Sequence, residues 1–383
     1  MFEGLDVSIT GIAYFAGEGT NAKALLKPLV QLKEIAAQAL AEFQPETPER
    51  IAPKLAEGLH QIRALRQQIG SLDPEPRATV DAMLARKERE FSDALVKAHG
   101  IIVDALSNTE IVTPGEKVEV RTNLYFGSNS KPKELNEKET VKLSAPANWK
   151  VDQFVVEPEA PAPPSPFFRG RERADFVALF QATVPQDETP SQPYWLVKQR
   201  TRDQFDWDAS MPLNLPFAPP ILSAQVKLTL NGENVTINQP VEYRFSDKSI
   251  GEIRRDLKVA PALTLTMHPS LLVIPQNTVA KSTTRAREVS VEITHNARHA
   301  TNGTLKLVTP AGWKVEGDGQ ALAFTRQGEK ISRRFLVTPA ANASGTFTLK
   351  AVATADGRDY ASGYQTIEYP HTEKHFLYHP AET

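Results

Sequence analysis

The residues whose types best match ligand-binding chemistry surround a tryptophan in a non-periodic stretch, RTRDQFDWD at residues 200–208. An indole face can stack on the C–H face of a sugar ring, while neighbouring carboxylate and guanidinium groups bind its hydroxyls. This stretch is therefore a candidate carbohydrate-contact loop. The alternative is a loop that packs on its own domain. The candidate ligand-binding residues are Trp207, Asp206, Asp208, Tyr194 and Arg202.

Two further tryptophans, Trp149 and Trp313, occupy equivalent positions in an internal repeat. At an offset of 164 residues, TVKLSAPANWKVD (residues 140–152) aligns with TLKLVTPAGWKVE (residues 304–316), and eight of the thirteen positions are identical. A large side chain that recurs in both copies is typical of a core anchor, so we expect both indoles to be buried. Ligand stacking is the alternative.

The sequence carries no recognisable catalytic or metal-binding motif. It contains no G-x-S-x-G, P-loop, GxGxxG or H-E-x-x-H pattern and no cysteine, which excludes the common nucleophile, nucleotide and Cys-bound zinc sites. His371, His375 and His379 lie four residues apart, a spacing that would align three imidazoles on a helix. Because this segment follows a predicted strand near the chain end, we expect a solvent-exposed tail. No catalytic residue, metal site or cofactor is predicted for this chain.

Charge and hydropathy limit the possible partners. Forty-four basic and 46 acidic residues leave a formal charge of −2, so the chain lacks the basic field that binds phosphate backbones, and nucleic acid is not an expected partner. No apolar run approaches the ~20 residues that span a bilayer, so no membrane insertion is expected. The 29 prolines favour short strands joined by rigid turns.

Apolar spacing predicts that residues 1–109 form a helical domain, an antiparallel array of three helices. Pro28 is expected in the first turn of the first helix, and the third helix is expected to run from Asp73 to Leu106. The predicted inner face of the first helix consists of Leu25, Leu29, Leu32, Ala36, Leu40 and Phe43.

The repeat predicts two related domains in the remainder of the chain, at residues 110–260 and 261–383. Short alternating strands between Pro, Gly and Asn turns are typical of immunoglobulin-like β-sandwiches. The fold class is therefore an α+β multidomain chain, in which the helical array is followed by two tandem immunoglobulin-like antiparallel β-sandwiches. The first sandwich carries two proline-rich insertions, at residues 157–166 and 211–220, where binding loops commonly lie.

Four features together resemble a known architecture: the opening FEGLDVSITGIA, the helical array, the paired P-A-x-W-K-V motifs and the late IEYPH of residues 367–371. They are similar to the region that follows the catalytic domain in large bacterial PIG-L/LmbE-type N-acetylglucosaminyl deacetylases. The two sandwiches also resemble the NEW3 module associated with α-galactosidases and other carbohydrate enzymes.

The resemblance implies a parent enzyme that removes acetyl groups from N-acetylated sugars with a zinc ion held by an Ala-His-Pro-Asp-Asp motif. That motif does not occur in this sequence, so no catalytic position can be transferred and zinc is expected only in the parent's catalytic domain. The implied partners are that catalytic domain and a carbohydrate, and the implied compartment is the bacterial periplasm or the cell exterior.

Three functional hypotheses follow. The first is a non-catalytic accessory region that supports a deacetylase domain or orients its substrate. The second is an independent carbohydrate-binding module that uses the Trp207 loop. The third is a hydrolase with an unrecognised site.

Overall fold

The helices come first in the chain. The computed structural model shows α1 packed against α2, and α2 against α3, as short connecting loops favour. Their bounds are 3-10 helix Ile9–Ala16, α1 Thr20–Glu42, 3-10 helix Pro48–Ile51, α2 Ala52–Gln68, 3-10 helix Ile69–Ser71 and α3 Pro74–Ala98. The structure describes residues 6–17, 20–127, 135, 137–154, 174–198, 201–207, 215–274, 286–341, 343–369 and 371–383.

Two helix bounds differ from prediction. α1 includes Pro28 well inside the helix, not only in its first turn. The predicted third helix through Leu106 is wrong, because α3 ends at Ala98 and residues Ile102–Ser107 form a strand. Gly100 has a φ of +62°, a conformation that glycine adopts without strain and that commonly ends helices.

The face that α1 buries also differs from prediction near its end. Leu40 and Phe43 were expected on the inner face but are 78% and 46% exposed. Each residue advances about 100° around a helix, and Ala39 takes the inward position at that turn. The buried positions are Leu25, Leu29, Leu32, Ile35 and Ala39.

The first β region (residues 102–259) contains a six-stranded sheet of order β10-β9-β1-β3-β6-β5, a three-stranded sheet of order β4-β7-β8 and a small β11-β2 pair. All strand pairs are antiparallel except β1 with β9 and β2 with β11. The elements are β1 Ile102–Ser107, β2 Ile111–Val112, β3 Lys117–Tyr125, helix α4 Glu137–Thr140, β4 Val141–Ser144, β5 Lys150–Phe154, β6 Phe176–Thr183, 3-10 helix Tyr194–Leu196, β7 Ser223–Leu230, β8 Glu233–Pro240, β9 Glu242–Asp247, β10 Gly251–Asp256 and β11 Lys258–Val259.

The second β region (residues 263–380) contains two four-stranded sheets of order β12-β13-β17-β15 and β16-β14-β18-β19, and a β20-β21 hairpin. All its strand pairs are antiparallel. The strands are β12 Leu263–His268, β13 Arg287–His295, β14 Thr301–Val308, β15 Lys314–Glu316, β16 Gln320–Phe324, β17 Lys330–Thr338, β18 Lys350–Ala355, β19 Arg358–Tyr360, β20 Ser362–Tyr369 and β21 Thr372–Pro380.

The two β regions share their strand order. The order β1-β3-β6-β5 corresponds to β12-β13-β17-β15, and β4-β7-β8 corresponds to β14-β18-β19. The registers also agree, since Lys150 lies opposite Thr183 on β6 and Lys314 lies opposite Thr338 on β17. The internal repeat of the sequence is therefore a repeat of topology as well.

Buried apolar side chains form two clusters. One is continuous from the helices into the first β region, and the other lies within the second β region. Each cluster includes one face of a central strand. β3 buries Val118, Val120 and Leu124, and β13 buries Val289 and Val291. These residues share a face because side chains alternate between the two faces of a strand.

The helices are held to the first β region by the tip of the β7-β8 hairpin. Asn231 and Gly232 both have positive φ, as the two central residues of a type I′ turn require. The Asn231 side chain accepts a hydrogen bond from His99 Nε2 at 2.7 Å. Next to the turn, Glu233 accepts a hydrogen bond from Arg63 Nη1 at 2.6 Å and lies 3.0 Å from His60 Nδ1.

The two β regions meet through polar contacts. Glu110 accepts hydrogen bonds from Lys374 Nζ at 2.5 Å and from Arg255 Nη1 at 3.2 Å. Glu116, whose side chain is 10% exposed, accepts the backbone N–H of Arg298 at 2.7 Å.

A half-buried charge network joins α2 to α3. Glu88 on α3 accepts hydrogen bonds from Arg63 Nε at 2.8 Å and Arg66 Nη1 at 2.6 Å, and Arg66 also binds Asp81. Partial burial raises the pKa of Glu88, but the hydrogen bonds from the two arginines outweigh it and the pKa lies below 4.5. The arginine at position 66 likewise lowers the pKa of Asp81.

We predict that Glu88→Gln lowers the free energy of unfolding at pH 7 by about 1–2 kcal/mol, because two charged donors lose their carboxylate. A carboxyl group whose pKa is lower in the folded state stabilises the fold above its unfolded pKa, and this contribution disappears as pH falls through the folded pKa. The difference between wild type and variant should therefore shrink below about pH 4.5. Urea unfolding at pH 7 and pH 3 measures it. Glu57→Gln, at an exposed position on α2, is the control; equal losses in both variants would contradict the prediction.

Candidate functional site

Two of the predicted ligand-binding residues lie against each other. Tyr194, in the 3-10 helix, contacts Trp207 edge-to-face with 6.1 Å between ring centroids. The Tyr194 hydroxyl donates a hydrogen bond to the carbonyl oxygen of Leu215 at 3.0 Å. Trp207 itself is 38% exposed, so part of its indole faces solvent.

The polar residues of this loop are placed less tightly. Arg202 occupies a tight turn closed by backbone hydrogen bonds between Thr201 and Gln204, and its φ is +55°. Asp206 is exposed and lies 3.7 Å from Lys198 Nζ. Asp208 lies outside the described residues. The structure thus pairs Tyr194 with Trp207, and among the described residues it shows no hydrogen bond that joins Arg202 or Asp206 to either of them.

The aromatic cluster continues toward the second β region. Trp195 contacts Phe217 at 6.4 Å, and Phe217 stacks on His375 of β21 at 4.8 Å. Beside this stack lies a cleft of about 140 Å³ that is lined by prolines, Phe217, His375 and Lys258. Sequence reasoning missed this junction because Phe217 and His375 lie 158 residues apart in the chain.

The predicted exposed histidine tail is wrong. His375 and His379 lie within β21, which pairs with β20 along its length, and Phe376 between them is buried. Residues four apart on a strand share a face but are separated by about 13 Å, too far for one metal ion. Among the described residues, no cluster of three or more His, Asp or Glu side chains could hold a metal.

Buried His295 has a structural role. One ring nitrogen, Nδ1, must donate its proton to the carbonyl oxygen of Arg326 at 2.9 Å, which leaves Nε2 to accept the Thr301 hydroxyl at 2.9 Å. The ring also stacks on Phe324. Its hydrogen-bonding capacity is used within the fold.

The repeated tryptophans follow identical turns but differ in burial. The backbone N–H of Trp149 binds the carbonyl oxygen of Pro146, and that of Trp313 binds the carbonyl oxygen of Pro310. Trp149 is 6% exposed, which confirms the prediction of a buried anchor. Its Nε1 donates a hydrogen bond to Glu188 Oε2 at 2.6 Å.

Trp313 is only half-buried, and the prediction that it is fully buried is wrong. One part packs against the core of the second β region, and another lines a groove of about 210 Å³. Phe347 contacts its ring edge-to-face at 5.5 Å. Groove residues near the indole are Leu271, Leu272, Ala343, Gly345 and Phe347.

Residues 282–356 match the NEW3 family. Its full description is NPCBM-associated, NEW3 domain of alpha-galactosidase. The match covers strands β13 to β18 and includes Trp313 and Ala343. A NEW3-like assignment of the first β region stays a prediction.

The other comparisons are weaker. No curated protein matches the chain. Partial structural similarity extends to native alpha-2-macroglobulin of E. coli (12% identity, 74% of this chain, 16% of that chain, TM-score 0.22). It also extends to a DUF4785 family protein of Legionella pneumophila (10% identity, 68% of this chain, 56% of that chain, TM-score 0.23). A further similar structure is the E. coli adhesin FdeC (10% identity, 67% of this chain, 60% of that chain, TM-score 0.19). The chain spans less than two thirds of each of these proteins. Among the described residues, no helix combines the length and apolarity needed to cross a bilayer.

We predict that Trp149→Ala lowers the free energy of unfolding by about 3–5 kcal/mol, because it removes a fully packed side chain. Trp313→Ala should cost less, about 1–2 kcal/mol, since only part of the ring leaves the core. Chemical denaturation followed by circular dichroism measures both. Trp207→Ala is the control with an exposed indole and should change stability by less than about 1 kcal/mol. Equal losses at Trp149 and Trp313 would show that the two environments are the same.

Proposed function

We propose that this chain is a non-catalytic accessory region whose helices dock on a further domain of a larger carbohydrate-active protein. The observation that supports it best is a second apolar stripe on α1, on the side turned away from the core. The stripe recurs at helical spacing and includes Leu26, Val30, Ala37 and Leu40, with Lys33 among them. We call it the outer stripe.

The outer stripe is exposed along its length. Leu26 is 46% exposed, Val30 38% and Leu40 78%. The 3-10 helix that packs beside α1 adds Tyr14 and Phe15, which are 81% and 44% exposed. Single exposed apolar residues are common, but a helical row of them is typical of an interaction surface. A helix with two apolar stripes has one for its own core and one for a partner.

The proposal includes the finer architecture of the β regions as two tandem immunoglobulin-like sandwiches. The shared strand order of the two regions supports it, as does the NEW3 match in the second. In the first region the sheet that contains β3 would face the sheet that contains β4, and in the second the sheet that contains β13 would face the sheet that contains β14. In this proposal the two modules act as spacers between the catalytic domain and its substrate.

The parent in this proposal is a PIG-L/LmbE-like sugar de-N-acetylase. Its support is the sequence resemblance described above, together with a NEW3 match whose family is named for a carbohydrate enzyme. The zinc and the catalytic groups belong to the parent's catalytic domain. The proposed location is the periplasm or the cell exterior of a bacterium.

We predict that hydroxyl-radical labelling of Leu26, Val30 and Tyr14 is strong in the 383-residue chain and falls several-fold in the protein expressed from the whole reading frame. The docked domain should shield these side chains from solvent. Mass spectrometry of both labelled proteins gives the comparison.

Ile250, in the β9-β10 turn and 76% exposed, serves as the internal control and should label equally in both proteins. The double variant Leu26→Asp/Val30→Asp should keep the melting temperature of the isolated chain, because both sites are exposed, yet weaken the full-length protein. Equal labelling of the outer stripe in the two proteins would exclude docking through α1.

A catalytic role for the chain alone can be tested directly. We predict that the purified chain releases no acetate from chitooligosaccharides in the presence of zinc, because its sequence contains no Ala-His-Pro-Asp-Asp motif. An enzymatic acetate assay with and without a chelator measures this. Release of acetate that the chelator abolishes would establish a hydrolase and overturn the accessory proposal.

The second candidate function is an independent carbohydrate-binding module that uses the Trp207 loop. The contact between Tyr194 and Trp207, with part of the indole exposed, favours it. We predict that any sugar bound here is lost from a glycan array when Trp207→Ala removes the stacking face. Trp195→Ala, in the same cluster, is the matched control. Equal signals from wild type and Trp207→Ala, or none from either, would remove this candidate.

A further inference from the structure

The turn that follows β6 recurs after β17, and it fixes which residue faces each repeated tryptophan. The backbone N–H of Glu188 binds the carbonyl oxygen of Pro185 at 3.3 Å, and that of Ala343 binds the carbonyl oxygen of Ala340 at 3.0 Å. In the first β region Lys150 pairs with Thr183, and Glu188 lies five residues beyond that threonine. In the second, Lys314 pairs with Thr338, and Ala343 lies five residues beyond it. Glu188 and Ala343 are therefore equivalent positions.

The first β region closes its tryptophan with its own side chains. Glu188 Oε2 accepts hydrogen bonds from Trp149 Nε1 at 2.6 Å and from Asn148 Nδ2 at 3.3 Å. In the second region the equivalent of Asn148 is Gly312, at the same offset of 164 that aligns the repeats, and Ala343 replaces Glu188. The carboxylate and the amide that cover the first indole are both missing from the second.

Ala343, which replaces Glu188, lines the groove of about 210 Å³ beside Trp313. Among the described residues, Nε1 of Trp313 has no hydrogen-bond acceptor, whereas Nε1 of Trp149 has one. The hydroxyl of Thr383 lines the same groove and is buried without a hydrogen-bond partner in the described part of the chain. Buried polar groups are normally paired, so the Thr383 hydroxyl indicates an external partner, and the N–H of the half-buried Trp313 indole can donate to the same partner.

The residues that line the groove indicate the chemical class of that partner. The indole of Trp313, the ring of Phe347 and the exposed side chain of Leu271 form an apolar surface. No charged side chain lines the described groove, so a carboxylate or ammonium ligand would lose its hydration without gaining a counter-ion. The C–H face of a neutral ligand would pack on this apolar surface. Oxygen atoms at the edge of the ligand would bind the Trp313 N–H and the Thr383 hydroxyl.

We propose that the groove beside Trp313 binds a ring of a neutral saccharide, which stacks on the indole and offers an oxygen to Trp313 Nε1 where Glu188 does so in the first β region. This site is separate from the Trp207 loop and does not depend on docking through α1.

Nuclear magnetic resonance of the four tryptophan indole N–H groups tests the proposal in one spectrum. The full chain, labelled with nitrogen-15, is titrated with chitotetraose and with cellotetraose, two neutral sugars that differ in the acetamido group. The Trp313 signal, assigned with Trp313→Phe, should shift on titration. The Trp149 signal should not, and the Trp207 signal reports separately on the other loop.

Ala343→Glu places a carboxylate where Glu188 stands in the first β region and should weaken sugar binding at least about tenfold. The other three indole signals should stay in place, which would show that the fold is intact. Ala323→Glu, at an exposed position on β16 outside the groove, should bind like wild type. Binding of wild-type strength by Ala343→Glu would place the ligand elsewhere.

Three other outcomes would overturn the proposal. The first is no shift of the Trp313 signal with either sugar. The second is a shift of the Trp207 signal alone, which would assign sugar binding to that loop. The third is a Trp313 signal that moves with protein concentration in the absence of sugar, which would assign the groove to a second copy of the chain.

Discussion

Burial of one face of two central strands is the constraint from which the rest of the β structure follows. β3 buries Val118, Val120, Thr122 and Leu124 at alternate positions, and β13 buries Val289, Val291 and Ile293. A shift of one residue would turn each of these faces toward solvent. With that register fixed, β6 and β17 pair on one side and β1 and β12 on the other. The Pro–Trp turns then fall at the same place in both copies.

The two copies share this strand framework and differ in what their cores pack against and in the side chains beside the tryptophan. The first copy shares its core with the helices and closes its tryptophan with Glu188. The second has a separate core and leaves Trp313 open. In the two proposals, attachment and ligand contact would be divided between the copies, because the side chains of a loop can change without altering the strand register that carries it.

Features with a local period could be predicted from the sequence, and features that depend on distant packing could not. The repeat and its strands were predictable because Trp149 and Trp313 stand in nearly identical strings. The predicted third helix extends through Leu106 because Ile102 and Leu106 fit a helical spacing as well as a strand. The stack of Phe217 on His375 joins segments far apart in the chain, and no local pattern encodes it. The open indole depends on Ala343, which corresponds to Glu188 at an offset of 155 residues instead of 164, so the alignment of the two strings does not reveal it.

The tip of the β7-β8 hairpin is held by residues of two different helices, His60 and Arg63 on α2 and His99 just after α3. The same helices share a continuous apolar core with the first β region. The helices and the first β region therefore form one packed unit. A domain seated on the outer stripe would be oriented relative to the sheets by this shared core and by the contacts at the hairpin tip, not by a flexible connection.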